Sequence, residues 1–469
     1  MVFNSVAFLV FFILFFYTYW WVCRKGTVKA RNIVLIVASY IFYGWWDWRF
    51  LSLIIISSLA DFLLGQYIFR AHSGSSRKTG LILSLILNLG LLGFFKYFNF
   101  FTEGFGEFIH LFGLDLNTRT LDIILPVGIS FYTFQTMSYT IDIYRGKLEP
   151  TRDPWQFFAF VSFFPQLVAG PIERATRFLP QFEERKEFNY SRTISGFRLI
   201  LWGFFKKVVI ADNLGLLADA LFAHPSDYPG LPMFLGAILF AFQIYGDFSG
   251  YSDIAIGLGK TLGFDLMTNF RKPYFSRSFG EFWHRWHISL STWFRDYVYI
   301  PLGGSRKGSL RTDLNLMITF LVSGLWHGAN ITFVVWGFLH GSALILEKRF
   351  NTGRAAPALI IFLLCCLFWI PFRAESFSHF TLIVQQLFHL DAPFHLPALF
   401  ETNLPRLCGT AVMLVLWLII EKRMGEHNFS TYMSSFSKPK RLIAYYGLLL
   451  AILVLGNFDV KPYFIYFQF

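Results

Sequence analysis

Uncharged stretches long enough to cross a bilayer recur along the whole chain, and this recurrence limits the fold more than any other feature. Residues 6–23, VAFLVFFILFFYTYWWVC, contain no charge at all. A spanning helix needs about 20 apolar residues, and fewer where it is broken or buried in protein. Candidate spans lie at 4–22, 32–47, 51–69, 80–98, 121–144, 198–222, 231–256, 313–326, 331–346, 357–372, 408–421 and 442–457. Only 15% of the residues are charged, against about 25% in soluble domains. The pattern predicts an all-α polytopic membrane protein with about twelve transmembrane helices.

The net charge of +12 fits cytoplasmic loops that obey the positive-inside rule. Basic clusters at Arg24–Arg31 and Arg70–Lys78 fall on one side, which places the N-terminus outside, and an even number of spans returns the C-terminus there. A nucleic-acid role is excluded because no soluble basic domain exists to carry it. Cys23, Cys365, Cys366 and Cys408 show no zinc or redox spacing.

Three stretches depart from simple spans. WQFFAFVSFFPQLVAGP at 155–171 is apolar but interrupted by proline, as in a re-entrant or broken helix buried in protein. Residues 172–197 are charged and amphipathic. Residues 258–312 are too polar to span yet carry aromatic runs. With no tandem repeat, heptad or low-complexity tail, the expectation is one membrane-embedded domain over 1–469, its core at about 121–345.

The chemistry concentrates in two places. EFWHRWHISLSTWFRDY at 281–297 carries His284 and His287, and SGLWHGAN at 323–330 carries His327 between Gly324 and Gly328. On a continuous helix, His287 would align with the mostly apolar Trp283, Leu290, Ser291 and Phe294, making it the better candidate for a buried imidazole. A packing role is the plain alternative for either histidine. An ionisable group at membrane depth is nevertheless costly, and so points to function.

Rival chemistries fit poorly. Glu281, His284 and His287 spell E-x-x-H-x-x-H, but the other histidines are scattered, so no metal site is expected. No G-x-S-x-G nucleophile elbow occurs. GDFSG at 246–250 interrupts a predicted span, and its glycines suggest a broken helix. Two imidazoles from separate segments in a dry cavity suit acyl transfer from a thioester to a hydroxyl. One imidazole, kept neutral by burial, takes the hydroxyl proton, while a second polar group steadies the oxyanion. Between 271 and 311 eight basic residues face two acidic ones, a surplus suited to coenzyme A phosphates or an acidic carrier protein. Arg295, Arg306, Lys307 and Trp286 are the candidate donor-binding residues, with PLGGSRKG at 301–308 a possible phosphate-holding turn.

The segments YGDFSGYSDIAIGLGKTLGF (245–264), NFRKPYFSRSFGEFWHRWHISLSTWFRDYVYIPLGG (269–304) and NLMITFLVSGLWHGANITFVVWGFLHG (315–341) resemble the membrane-bound O-acyltransferase family. LPVGISFYTFQTMSYTIDIYRG (125–146) and FFPQLVAGPIERA (163–175) fit it too. The similarity is strongest to the bacterial branch that modifies alginate, peptidoglycan and teichoic acid.

The resemblance implies a ring of membrane helices, some of them broken, around a central tunnel. It implies His327 as the catalytic residue and His287 as its partner, with no catalytic role for His284. No bound cofactor is implied. The expected donor is acetyl-CoA or an acyl carrier protein on the cytoplasmic side of the bacterial inner membrane. The expected acceptor is a polysaccharide such as alginate, reached through a periplasmic esterase-like partner. Peptidoglycan or cellulose acetylation and D-alanyl transfer remain alternatives within the class. A transporter or channel with structural histidines is the alternative outside it.

Overall fold

The computed structural model describes residues 1–110, 121–350 and 356–458. Every regular element in it is helical. Six of the described helices are long and apolar enough to cross a membrane: Val6–Lys25, Val28–Arg70, Gly74–Gly104, Leu231–Thr261, Ile331–Phe350 and Leu404–Met424. Two of the expected spans, 32–47 and 51–69, are one run joined through a 3₁₀ turn at Trp48–Phe50. Several other expected spans are shorter or interrupted helices, as at Ile129–Tyr144 and Ala358–Arg373. The chain is thus an all-α polytopic membrane protein.

Its residues form two compact units. One comprises Met1–Thr193 with Leu258–Met267, and the other Ile194–Gly257 with Thr268–Phe469.

In the first unit, α1 (Val6–Lys25), α2 (Val28–Asp47), α3 (Leu51–Arg70), α4 (Gly74–Leu92) and α5 (Ile129–Tyr144) are the main helices. Three of them start on side-chain caps. Ser5, Thr27 and Ser73 each accept an amide N–H from the first turn, satisfying donors that would otherwise lack a partner. Between α3, α4 and α5 lies a polar knot. Asp61 accepts hydrogen bonds from Ser84 (2.6 Å) and Asn88 (2.7 Å), and Thr136 donates to Asn88 (3.0 Å). Such bonds bind helices where lipid offers no hydrophobic driving force between them. The proline-interrupted stretch forms a helix at Pro154–Ser162 and a single turn at Phe164–Leu167.

In the second unit, α6 (Tyr190–Phe204) runs through a π-helical turn, Phe205–Ala211, into α7 (Asp212–Ala223). α8 (Leu231–Thr261) is 31 residues long and unbroken. This corrects the expected break at GDFSG. The glycines there serve close packing rather than a break: a Cβ at Gly250 would lie 2.8 Å from the Gly203 carbonyl oxygen, and one at Gly257 2.6 Å from that of Gly196. Two adjacent lysines of the π turn clamp α8 from the same side. Lys206 reaches Asp253 (2.7 Å) and Ser249 (2.9 Å), while Lys207 bridges Asp247 (2.7 Å) and Asp212 (2.8 Å).

Then come two short helices, α9 (Phe279–Arg285) and α10 (Ile288–Phe294), and a hairpin of α11 (Ser309–His327) and α12 (Ile331–Phe350). The Glu347 carboxylate of α12 accepts the amide N–H groups of Phe279 (2.5 Å) and Gly280 (3.1 Å), tying α9 to the hairpin. Further along, α13 (Leu404–Met424) presents buried Glu421 to the Tyr245 hydroxyl (2.8 Å) and the Trp417 indole (3.0 Å).

Candidate active site

His287 does not lie on a continuous helix with His284. The helix stops at Arg285, and His287 is the first residue before α10, with φ 42° and ψ 52°. It is one of two described non-glycine residues with positive φ, the other being Lys272. That conformation is strained for a residue with a Cβ and persists only where the surroundings hold it. The helical-face arithmetic applied to the sequence therefore fails here, although its conclusion of a buried His287 holds.

His287 is 1% exposed. The Phe248 ring stands edge-on to its imidazole at 4.5 Å, and Trp326 lies 6.3 Å away. Burial pushes the His287 imidazole down to about 3, so it is neutral at ordinary pH. Nδ1 lies 3.1 Å from Oδ1 of Asn269, a residue that sequence reasoning missed.

His327 is the last residue of α11 and is 5% exposed. Its ring packs against Trp326 (4.9 Å), Trp336 (5.0 Å) and Phe372 (5.1 Å). Trp326 thus touches both imidazoles, and their separation cannot exceed the two centroid distances taken together. Two buried histidines 40 positions apart are thus linked through one indole.

A groove of about 340 Å³ is lined by residues of α9, α10, α11 and α12, and neither His287 nor His327 is among them. Trp283, Ile288, Phe294 and Phe320 supply apolar walls, and Arg295, Tyr299 and His284 supply polar groups. Ser323 also lines it and sits one helical turn before His327. Trp283 lines the groove and packs on Trp336 at 5.6 Å, so the groove is one ring removed from the ring that touches His327.

The donor-binding candidates separate. Arg295 lines the groove, its side chain 59% exposed and paired with Asp296 at 2.8 Å. Arg306 and Lys307 are exposed on the glycine-rich loop, outside the groove lining, where Gly303, Gly304 and Gly308 all adopt positive φ. Trp286 is buried among Trp369 (4.8 Å), Phe270 (5.1 Å) and Phe282 (5.6 Å), also outside that lining. His284 is exposed and bonded through Nδ1 to the Gly280 carbonyl at 2.6 Å. Among the described residues, no group of three or more His, Cys, Asp or Glu is placed to hold a metal ion.

A further histidine escaped the sequence reading. His340 is fully buried on α12, with Trp283 and Trp336 each 5.0 Å away and Phe368 at 5.1 Å. In sequence it looked isolated; its spacing of four from Trp336 was the available signal.

The family model for membrane-bound O-acyltransferases matches residues 151–360, which hold both imidazoles. A protein named "Probable alginate O-acetylase AlgI" from Pseudomonas aeruginosa is 41% identical over 448 residues, covering 94% of this chain and 84% of that one. Its namesake from Pseudomonas putida is 43% identical over 386 residues, covering 80% and 78%. The peptidoglycan O-acetyltransferase of Helicobacter pylori is 34% identical over 424 residues, covering 83% and 78%. The chain belongs to the membrane-bound O-acyltransferase family and is a multi-pass membrane O-acyltransferase.

Proposed function

We propose that this enzyme takes an acetyl group from acetyl-CoA on the cytoplasmic face of the bacterial inner membrane and passes it across the bilayer for O-acetylation of an exopolysaccharide such as alginate. The observation that carries the reading is that Trp326 packs near both His287 and His327, each nearly inaccessible to water. In a dry chamber the thioester is protected from hydrolysis and a neutral imidazole can act as a base. His327 and His287 together supply the base and its partner. The relatives named for alginate acetylation support the choice of acceptor.

Arg295, at the groove, is the first contact for the anionic part of the donor, and the exposed Arg306 and Lys307 draw it in from solution. In this reading the exported acetyl group is handed to a periplasmic esterase-like partner.

The test is thiol release from acetyl-CoA by purified protein in nanodiscs with alginate supplied as the hydroxyl acceptor, comparing wild type with His327→Ala. Loss of nearly all turnover in a variant that elutes and melts like wild type supports the reading. Thiol release unchanged by the substitution, or none from wild type with any acetyl thioester, overturns it.

A further inference from the structure

We propose that Asn269 is a positioning residue that fixes the proton of His287 on Nδ1, making Nε2 the atom that receives the proton of the reacting hydroxyl. The inference rests on His287 serving the acyl transfer proposed above.

A helix needs acceptors for its first N–H groups, and the residue before it normally supplies one from its own side chain. His287 occupies that position before α10 but makes no such bond. Asn269, 18 positions earlier, supplies the cap from outside. Its backbone carbonyl accepts the Ile288 N–H at 2.9 Å. Its Oδ1 accepts the Ser289 N–H at 3.2 Å and the Ser289 hydroxyl at 2.8 Å. The His287 imidazole is thereby released from capping, and its left-handed backbone is held by groups on another segment.

The same bonds decide the tautomer. A backbone N–H can only donate, so the Asn269 atom facing Ser289 has to be the oxygen, not the amide nitrogen. The nitrogen points the other way and donates to Ser252 Oγ on α8 at 3.3 Å. Oδ1 therefore lies 3.1 Å from His287 Nδ1 as a pure acceptor. Nδ1 must carry the hydrogen, and Nε2 of the neutral ring carries the lone pair.

This divides the work between the two imidazoles. A neutral His287 with its hydrogen on Nδ1 offers the substrate a lone pair and no donor, so it accepts the hydroxyl proton rather than steadying the oxyanion. As that proton moves to Nε2, the oxygen lone pair forms the bond to the acyl carbon and the carbon–sulfur bond breaks. The proton then passes from His287 Nε2 to the departing thiolate, which restores the neutral ring, and His327, at the end of α11, is left to steady the oxyanion.

Asn269 is the group that meets His287 Nδ1, and rings surround the imidazole. α8 presents Phe248, with Asp247 beyond it already paired to Lys207. The Asn269 segment presents Phe270, α11 presents Trp326 with His327 beyond it, and on α9 Arg285 is paired with Glu281.

The test uses full-length protein in nanodiscs, labelled with ring-¹⁵N histidine, with His287 assigned by difference from His287→Gln. We expect a protonated Nδ1 and a pyridine-type Nε2 in wild type, and a mixture of tautomers in Asn269→Leu. In the acetyl-CoA thiol-release assay, Asn269→Leu should lower kcat by about 10–100-fold with little change in KM. Asn269→Asp keeps the acceptor and should recover most of the turnover at neutral pH. Its carboxylate favours imidazolium, so its activity should fall away at a higher pH than wild type on the acid side. A hydrogen on Nε2 in wild type, or an Asn269→Asp pH profile superimposable on wild type, overturns the proposal. If His287→Gln itself keeps full turnover, the role of His287 fails first; if it is inactive while both Asn269 variants behave as wild type, only the Asn269 inference fails.

Discussion

Gly250 gives a direct measure of how tightly α8 must be held for the site to work. A methyl group placed there would sit 2.8 Å from the Gly203 carbonyl oxygen and 3.1 Å from the Lys207 amide nitrogen. Both neighbours are backbone, so neither can rotate away. Reaching an ordinary carbon–oxygen contact means moving α8 off the π turn by about half an ångström, and overpacking of this kind costs about 1–3 kcal/mol. Gly250 lies two residues from Phe248, whose ring meets His287 at 4.5 Å, and two from Ser252, which orients Asn269. A misplacement of about 1 Å can cost 10²-fold in rate, so half that should cost about tenfold. We therefore expect Gly250→Ala to melt earlier than wild type in nanodiscs and to lose about tenfold in thiol release. The control is Gly447→Ala, because a Cβ there meets nothing within 4 Å. That variant, within the helix Lys438–Leu455, should keep full activity and gain about 0.5–1 kcal/mol of helix stability. If the two alanine variants prove equally stable and equally active, the account of α8 packing is wrong.

Two further outcomes follow from the buried charges. Lys207→Met leaves Asp212 and Asp247 facing each other without their shared cation and should cost about 3–5 kcal/mol, with Lys207→Met/Asp247→Leu recovering most of it; equal losses in single and double variants, measured by melting in nanodiscs, would exclude the clamp. His287 is held neutral by burial, its pKa lowered from 6.5 to about 3, so below about 6.5 the unfolded chain binds a proton that the folded chain does not. Its stabilising contribution is complete above that pH and declines as pH falls toward 3, by at most about 1.4 kcal/mol per unit. Melting temperature between pH 6.5 and 4.5 should fall less steeply in His287→Gln than in wild type, and parallel slopes would contradict the assignment.

Fold class was legible because apolar runs of span length have no other stable use. The number of spans was less so, since residues 121–144, 198–222 and 357–372 build short or interrupted helices whose limits depend on packing. GDFSG misled for a related reason. Glycines that break a helix and glycines that let two backbones touch look alike in sequence, and only the facing Gly203 and Gly196 carbonyls tell them apart. The two central histidines were visible through their motifs. Asn269 was not, because capping a helix from 18 residues away leaves no periodicity to detect. Trp286 attracted notice through its neighbours in sequence, yet its ring faces Trp369 and Phe282 rather than the groove.

The indoles around the two imidazoles stand unusually near one another. Trp286 and Trp369 lie 4.8 Å apart, Trp283 and Trp336 5.6 Å, and Trp336 and Trp369 6.0 Å. At such separations electronic excitation is shared between rings, and the near-ultraviolet circular dichroism depends on their mutual angles. This indole cluster is thus its own optical reporter, and a ligand that entered the groove beside Trp283 would register in unlabelled protein.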